Sequence, residues 1–404
     1  MLESWKKADP HELRIVLDKF VDGPGQHDKD TPNKINKIYL PLGRDDCFIS
    51  LKFKDKRIRS VEPGPAFDQK KWEAISHDIN DLIFGDHQRI VRWWTFSSYR
   101  VSGSWRGDTS RVQILPPFAD TPNAPVEMAD HPFLLEHPFY YSGYGPLDQY
   151  RAIREHRKLT LLLNVLLRGS TKWYPLNSRD QHWALIASDV HSPTYDTKWV
   201  QRGFFSKIAP DVLDALSPPD GGSIGQVEPT EYYSDIGHDG RPLRVPTNLD
   251  DAICTYRALC DERRDKFDRA AYWFAMAAQH WSTSYSASFA SLVSAIEALT
   301  TRGDRHTIEC PHCRKITQHD DPGPTQLFRD FLEKYASGTL SERARTDMYQ
   351  LRSGILHGSN LMELDEQKAF GWDPPGWIER ELHSELWNVT RTALRNWLIT
   401  VSLN

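Results

Sequence analysis

Phe267, Ala271, Phe274, Ala278 and Trp281 recur at i, i+4, i+7, i+11 and i+14. Only a helix keeps such a set on one face. The same period returns in Phe289, Leu292, Val293, Ile296 and Leu299, after the Ser-rich stretch from Ser282 to Ser288. Thr325 to Tyr335 reads as a third helix. Ser341 to His357 reads as a fourth, capped by Ser341 and ended by Gly358 as its C′ residue. A last long helix runs from about Pro375 to the C-terminus and carries Leu382, Leu386, Val389, Ala393 and Trp397. Short loops between such helices favour antiparallel neighbours, so residues 249–404 read as an all-α bundle.

The first 145 residues follow another pattern. Leu13 to Phe20, Ile38 to Leu42, Cys47 to Phe53 and Arg57 to Val61 read as strands. Glu73 to Phe84 reads as a helix, followed by strands over Arg89 to Tyr99 and Arg111 to Leu115. Gly, Pro and Asp punctuate them, as in a mostly β or α+β domain. The bases and aromatics Arg89, Arg92, Trp93, Trp94, Tyr99, Arg100, Trp105 and Arg106 are interleaved, as on a nucleic-acid stacking surface. Core packing of alternating strand residues is the favoured reading, because aromatics are usually interior. A mixed middle region, 146–248, holds a helix over Tyr150 to Leu167 and a strand over His182 to Ile186. Loops at Pro218 to Gly222 and Gly237 to Pro246 separate it from the helices. The fold class expected is therefore α+β, ending in a helical bundle.

The fourth helix ends Leu351-Arg352-Ser353-Gly354-Ile355-Leu356-His357-Gly358. A His near neutral pKa beside a permanent cation is minimal equipment for metal-free RNA cleavage. The imidazole takes a proton from a 2′-hydroxyl, and the guanidinium holds the scissile phosphate. The plainer reading is a solvated helix-edge Arg and a His that completes a helix end. At about 100° per residue, Arg352 and His357 lie roughly 140° apart around the helix. Ala344, Met348, Leu351 and Ile355 form the expected core face, and His357 shares a stripe with Gln350 and Gly354. One straight helix does not aim both side chains at one phosphate, so a second copy, approaching closely over Gly354, is expected to complete the site.

Between the second and third helices lies His306-x3-Cys310-Pro311-His312-Cys313-x5-His319. A Cys-x2-Cys knuckle lets two thiolates meet one ion, and tetrahedral zinc needs two more ligands. His306 and His319 have suitable spacing, with His312 as a competitor. A structural zinc and an unliganded polar loop are both consistent with a single Cys pair.

Three stretches, Arg269-Ala270-Ala271-Tyr272-Trp273, Ser294-Ala295-Ile296-Glu297-Ala298-Leu299 and Tyr349-x-Leu351-Arg352-x4-His357-Gly358, carry a resemblance. Residues 250 to 404 resemble the HEPN superfamily and, within it, the ApeA-like HEPN domains of prokaryotic defence proteins. The resemblance implies a homodimer or higher oligomer whose paired Arg-x4-6-His motifs form a metal-independent endoribonuclease site. It carries catalysis to Arg352 and His357, with Glu297, Tyr349 and Ser353 in support. Many members have Asn, Asp or His where this chain has Ser353. The expected reaction cleaves RNA, tRNA among the candidates, to 2′,3′-cyclic phosphate and 5′-hydroxyl ends. Its setting would be abortive infection triggered by a phage component. The alternative is a catalytically silent HEPN dimerisation or sensor module with a zinc-stapled loop. No cofactor is expected for catalysis.

Composition bounds these readings. Five Cys in 404 residues, a polar N-terminal stretch and no apolar run long enough for a bilayer suggest a cytoplasmic protein without a membrane partner. Residues 250–404 hold 18 Lys/Arg against 22 Asp/Glu, a balance of −4 within a chain of −5. RNA would therefore need a local basic groove rather than a broadly basic surface.

Overall fold

The computed structural model describes residues 5, 7–21, 26–30, 35–44, 47–54, 57–119, 130–169, 171–172, 183–187, 197–201, 210–234, 241–281, 283–301, 304–309, 312, 314, 316–338, 341–366 and 374–401. The first described element corrects an expectation. Residues 13–20 read as a strand, yet helix α1 spans Pro10–Asp18. The Asp9 carboxylate accepts the His11 N–H at 2.7 Å, and Pro10 sits in the first turn, where its missing N–H costs nothing. Leu13, Val16 and Leu17, spaced i, i+3 and i+4, then bury one face.

Strands β1 (Gln26–Asp30), β2 (Ile35–Arg44), β3 (Cys47–Lys54) and β4 (Arg57–Pro63) pair in that order as an antiparallel meander. Helix α2 (Gln69–Phe84) starts where Asp68 accepts the N–H groups of Lys70 and Lys71. Ile49, Leu51, Ile58 and Val61 from the meander share a core with Trp72, Ile75, Ile79 and Ile83 of α2 and with the buried face of α1.

Further along lie β5 (Gln88–Ser97), β6 (Gly103–Arg106), β7 (Gln113–Leu115), β8 (His131–Tyr140), α3 (Gly145–Leu166) and β9 (Thr171–Lys172). They are followed by β10 (Trp183–Ala187), β11 (Thr197–Gln201), β12 (Asp211–Leu213), β13 (Gly222–Ser223), β14 (Gly225–Val227), α4 (Pro229–Ser234) and β15 (Arg244–Pro246). A seven-stranded sheet runs β12-β5-β8-β7-β6-β13, with β9 on β5. β10 realises the strand read over 182–186, although His182 lies outside the described residues.

The chain divides into two compact units. One comprises Met1–Val91, His137–His156 and Pro210–Leu216; the other Arg92–Glu136, Arg157–Ala209 and Ser217–Asn404. In the first, the buried Glu12 and Arg151 pair, with Arg151 Nη2 and Nε 2.6 and 3.0 Å from Glu12 Oε2. In the second, Trp93, Tyr99 and Trp105 are buried, and Arg92 Nε donates to the fully buried Glu136 at 2.7 Å. The aromatic and basic run is thus largely core and internal ion pair.

The helices follow within the second unit: α5 (Leu249–Ala258), α6 (Asp261–His280) and α7 (Tyr285–Glu297). A ribbon of β16 (Asp304–Glu309) and β17 (Ile316–Asp321) separates them from α8 (Pro324–Tyr335), α9 (Glu342–Leu356), α10 (Glu363–Glu366) and α11 (Pro374–Val401). Helix α7 contacts α6, α8, α9, α10 and α11. Phe267, Phe274, Phe289, Leu292, Val293, Ile296, Leu386, Val389 and Ala393 form one buried cluster from the periodic stripes. The chain is thus mixed α+β, with a sheet region first and helices later. No described helix is long and apolar enough to cross a membrane.

At the centre of these helices His383 is wholly buried, ringed by Trp281, Tyr285 and Phe289. Ser288 Oγ donates its one proton to the Ala277 carbonyl at 2.8 Å and so accepts from His383 Nε2 at 2.9 Å. The imidazole is therefore the Nε2–H tautomer. Burial pushes its pKa from 6.5 down to about 4, with Asp365 opposing. The folded state binds fewer protons than the unfolded chain, so this stabilisation is complete above pH 6.5 and fades as pH falls toward 4. The slope is at most about 1.4 kcal/mol per pH unit. His383→Gln keeps a donor for Ser288 but cannot titrate. In denaturant unfolding at stepped pH, wild type should lose stability over this interval more steeply than the variant; parallel profiles would refute the assignment.

Candidate functional site

Ser341 caps α9, its hydroxyl accepting the Ala344 N–H at 3.1 Å, as its position in the sequence suggests. Met348 and Tyr349 are buried, with Leu351 and Ile355 packed against the same core. At the far end, Gly358 takes φ +69°, its N–H reaching the Ile355 carbonyl at 3.1 Å while Ser359 N–H reaches Gly354 at 3.0 Å. This is a Schellman ending, and only Gly takes its left-handed position without strain. His357 is the C-cap residue and is exposed.

Arg352, Tyr349 and Glu297 meet, although 55 residues separate Arg352 from Glu297. Glu297 is the last residue of α7. Its Oε2 accepts from Arg352 Nη2 at 2.5 Å and its Oε1 from the Tyr349 hydroxyl at 3.1 Å. The Arg352 guanidinium also lies 5.5 Å from the Tyr349 ring centroid. The side chains of Arg352 and Glu297 are 19% and 26% exposed, so the pair sits at the bundle edge, partly shielded from water. One carboxylate thus fixes the cation while one hydroxyl satisfies its other oxygen. Arg352 Nε is buried with no hydrogen-bond partner among the described residues. Ser353 is half-buried; its carbonyl takes the His357 N–H at 3.0 Å.

The surface over Gly354 differs from the expectation of close approach by a second helix. A Cβ built there would sit 3.0 Å from Asn360 Cβ and 3.7 Å from Ser359 Oγ. The close packing is with the chain's own return. That return is then anchored: Asp365 Oδ1 accepts from Tyr285 N at 2.8 Å, and Oδ2 accepts from Ser284 Oγ and Ser286 N at 2.8 Å each. Burial raises the Asp365 pKa, but the hydrogen bonds from Ser286, Ser284 and Tyr285 outweigh it and hold the carboxyl below its usual value. Asp365 is a cap for α7 supplied from 80 residues away, and no local sequence signal marks it.

In the Cys/His segment, His306 and His319 are register partners across β16 and β17. Cys310 and Cys313 lie outside the described residues. The two histidines stand three rungs behind the last pair, Glu309 and Ile316. Among the described residues there is no cluster of three or more His, Cys, Asp or Glu side chains suited to a metal. The arginine-rich cavity around Arg168, Arg241 and Arg244 is a feature that sequence spacing does not reveal.

No protein-family model, no curated protein and no solved structure matches the chain.

Burial, followed by the Glu297 charge and hydrogen bond, raises the Tyr349 pKa. The phenol therefore favours the folded state below its unfolded pKa, and that contribution disappears as pH rises through the folded value. Glu297→Gln should lower the Tyr349 pKa in a tyrosine-selective NMR titration, with Tyr349→Phe identifying the signal. An unchanged titration would show that the carboxylate does not govern this site.

Proposed function

We propose that this chain is a metal-independent endoribonuclease of the HEPN type. The observation that carries the reading is the fixed Arg352 guanidinium, held by Glu297 on the helix that ends at an exposed His357. His357 acts as general base toward a 2′-hydroxyl. Arg352 neutralises the developing charge on the phosphate, and the products are a 2′,3′-cyclic phosphate and a 5′-hydroxyl. Glu297 and Tyr349 act through Arg352 as positioning residues. The angular separation of Arg352 and His357 around the helix supports a composite site in a homodimer. RNA, with tRNA a candidate, is the substrate, and defence against phage in the cytoplasm is the setting.

Arg352→Ala or His357→Ala should each reduce cleavage of total cellular RNA by roughly 10²- to 10⁴-fold, the usual weight of a general acid–base group. End-group analysis with and without chelator should give the stated termini in both. Mixed Arg352→Ala and His357→Ala chains should recover part of the activity through heterodimers. Cleavage that survives in both single variants would eliminate this site.

We propose separately, whether or not the chain cleaves RNA, a structural zinc on Cys310, Cys313, His306 and His319; the two histidines are register partners across the ribbon. Purified chain should carry one zinc per protomer by elemental analysis, and Cys310→Ser should lower both metal content and stability. Metal-free protein of full stability would overturn it.

A further inference from the structure

The second unit holds a cavity of about 190 Å³ lined by Tyr99, Arg168, Tyr232 and the run from Arg241 to Arg244. Three arginines and no acidic residue line it. This inverts the acidic balance of the whole chain. One wall, Arg241 to Arg244, is extended and preformed. Arg100 N donates to the Arg241 carbonyl at 3.0 Å, Leu243 N donates to the Arg100 carbonyl at 2.7 Å, and Arg244 pairs with Gly225 of β14. Tyr99 forms another wall, its ring packed so tightly on Gly169 that any added Cβ would overlap it. The Arg168 N–H donates to the Tyr232 hydroxyl at 3.0 Å, and its guanidinium lies 4.8 Å from that ring.

The positive charge extends beyond the lining. Arg395 lies 3.5 Å from the centroid of Tyr233, which itself meets Tyr232 edge-on at 4.9 Å. The Arg391 guanidinium lies 5.4 and 5.8 Å from the Phe274 and Trp387 ring centroids, and burial lowers its pKa to about 10, with Tyr232, Tyr99 and Tyr233 opposing. Its Nε is buried without a hydrogen-bond partner among the described residues. Glu231 approaches Arg244 only to 3.9 Å, with both side chains more than half exposed, so it offsets little of this charge. An anion entering among clustered guanidinium groups gains charge-assisted hydrogen bonds.

We propose that this cavity binds a nucleoside monophosphate. Arg241 and Arg244, both exposed at the mouth, take the phosphate through charge-assisted, fork-shaped hydrogen bonds. The tyrosine rings with Leu243 give the nucleoside an apolar, aromatic wall. The site shares no residue with Arg352 and His357 and stands whether or not the chain cleaves RNA.

Calorimetric titration of the full chain tests this with adenosine monophosphate, uridine monophosphate, adenosine, inorganic phosphate and a short single-stranded oligoribonucleotide. At least one monophosphate should bind saturably, one per chain, about tenfold or more tighter than phosphate or nucleoside. Arg241→Ala and Arg244→Ala should each weaken it about tenfold, the weight of one hydrogen bond to a charged group. Circular dichroism should be unchanged, because both side chains are exposed. The same binding should persist in His357→Ala, which separates this site from the proposed nuclease. Four results would each overturn the assignment: no saturable binding at millimolar ligand, equal affinity for inorganic phosphate, binding of the oligoribonucleotide alone, or a double arginine variant that binds normally.

Discussion

Helix α7 fixes the geometry around the motif, because the chain is fastened to both of its ends. At its start, Asp365 supplies hydrogen-bond acceptors to Ser284, Tyr285 and Ser286. At its finish, Glu297 holds Arg352 and Tyr349. The segment from Arg352 to Asp365 is therefore spanned by a single rigid element of 13 residues, about 20 Å long. His357 and the Schellman turn lie on that tethered segment. The exposure of His357 is thus a property of a fixed loop, since both flanks are tied by ionic or charge-assisted hydrogen bonds.

Charge inside this protein is usually neutralised at short range. Glu136 accepts from Arg92 Nε and from Ser217 N, and Asp250 accepts the N–H groups of Thr109 and Ser110. Glu12 is answered by Arg151. Each is a partnered ion, the condition under which a charge is tolerated away from water. The cavity lined by Arg168, Arg241 and Arg244 gathers three arginines with no acidic residue in its lining, which is why its chemistry points outward to a ligand.

The helical half was largely legible because its stripes repeat at the helical period and its caps are local. Ser341 and Gly358 act as their residue types imply. The pairing of Glu297 with Arg352 joins residues 55 positions apart, and no local pattern marks it. The N-terminal half was legible where polar punctuation bounded strands, as for β3 and β4. It failed at α1, where the run Leu13-Arg14-Ile15-Val16-Leu17 has β-prone residues but a capped proline dictates a helix. β8 escaped notice because Glu136 and His137 interrupt an apolar run, and their burial depends on partners distant in sequence. Asp365 and the arginine cavity were invisible for the same reason: long-range partners leave no periodic trace.

The turn after the motif has a genealogical consequence. Gly354 and Asn360 touch so closely that a side chain at one position must be accommodated at the other. As such sequences diverge, these two sites should not drift independently. A gain of volume at 354 forces Asn360 to give by a few tenths of an ångström or to become smaller. The pair is a clock that ticks jointly, and it would distinguish descendants that keep this turn from those that have rebuilt it.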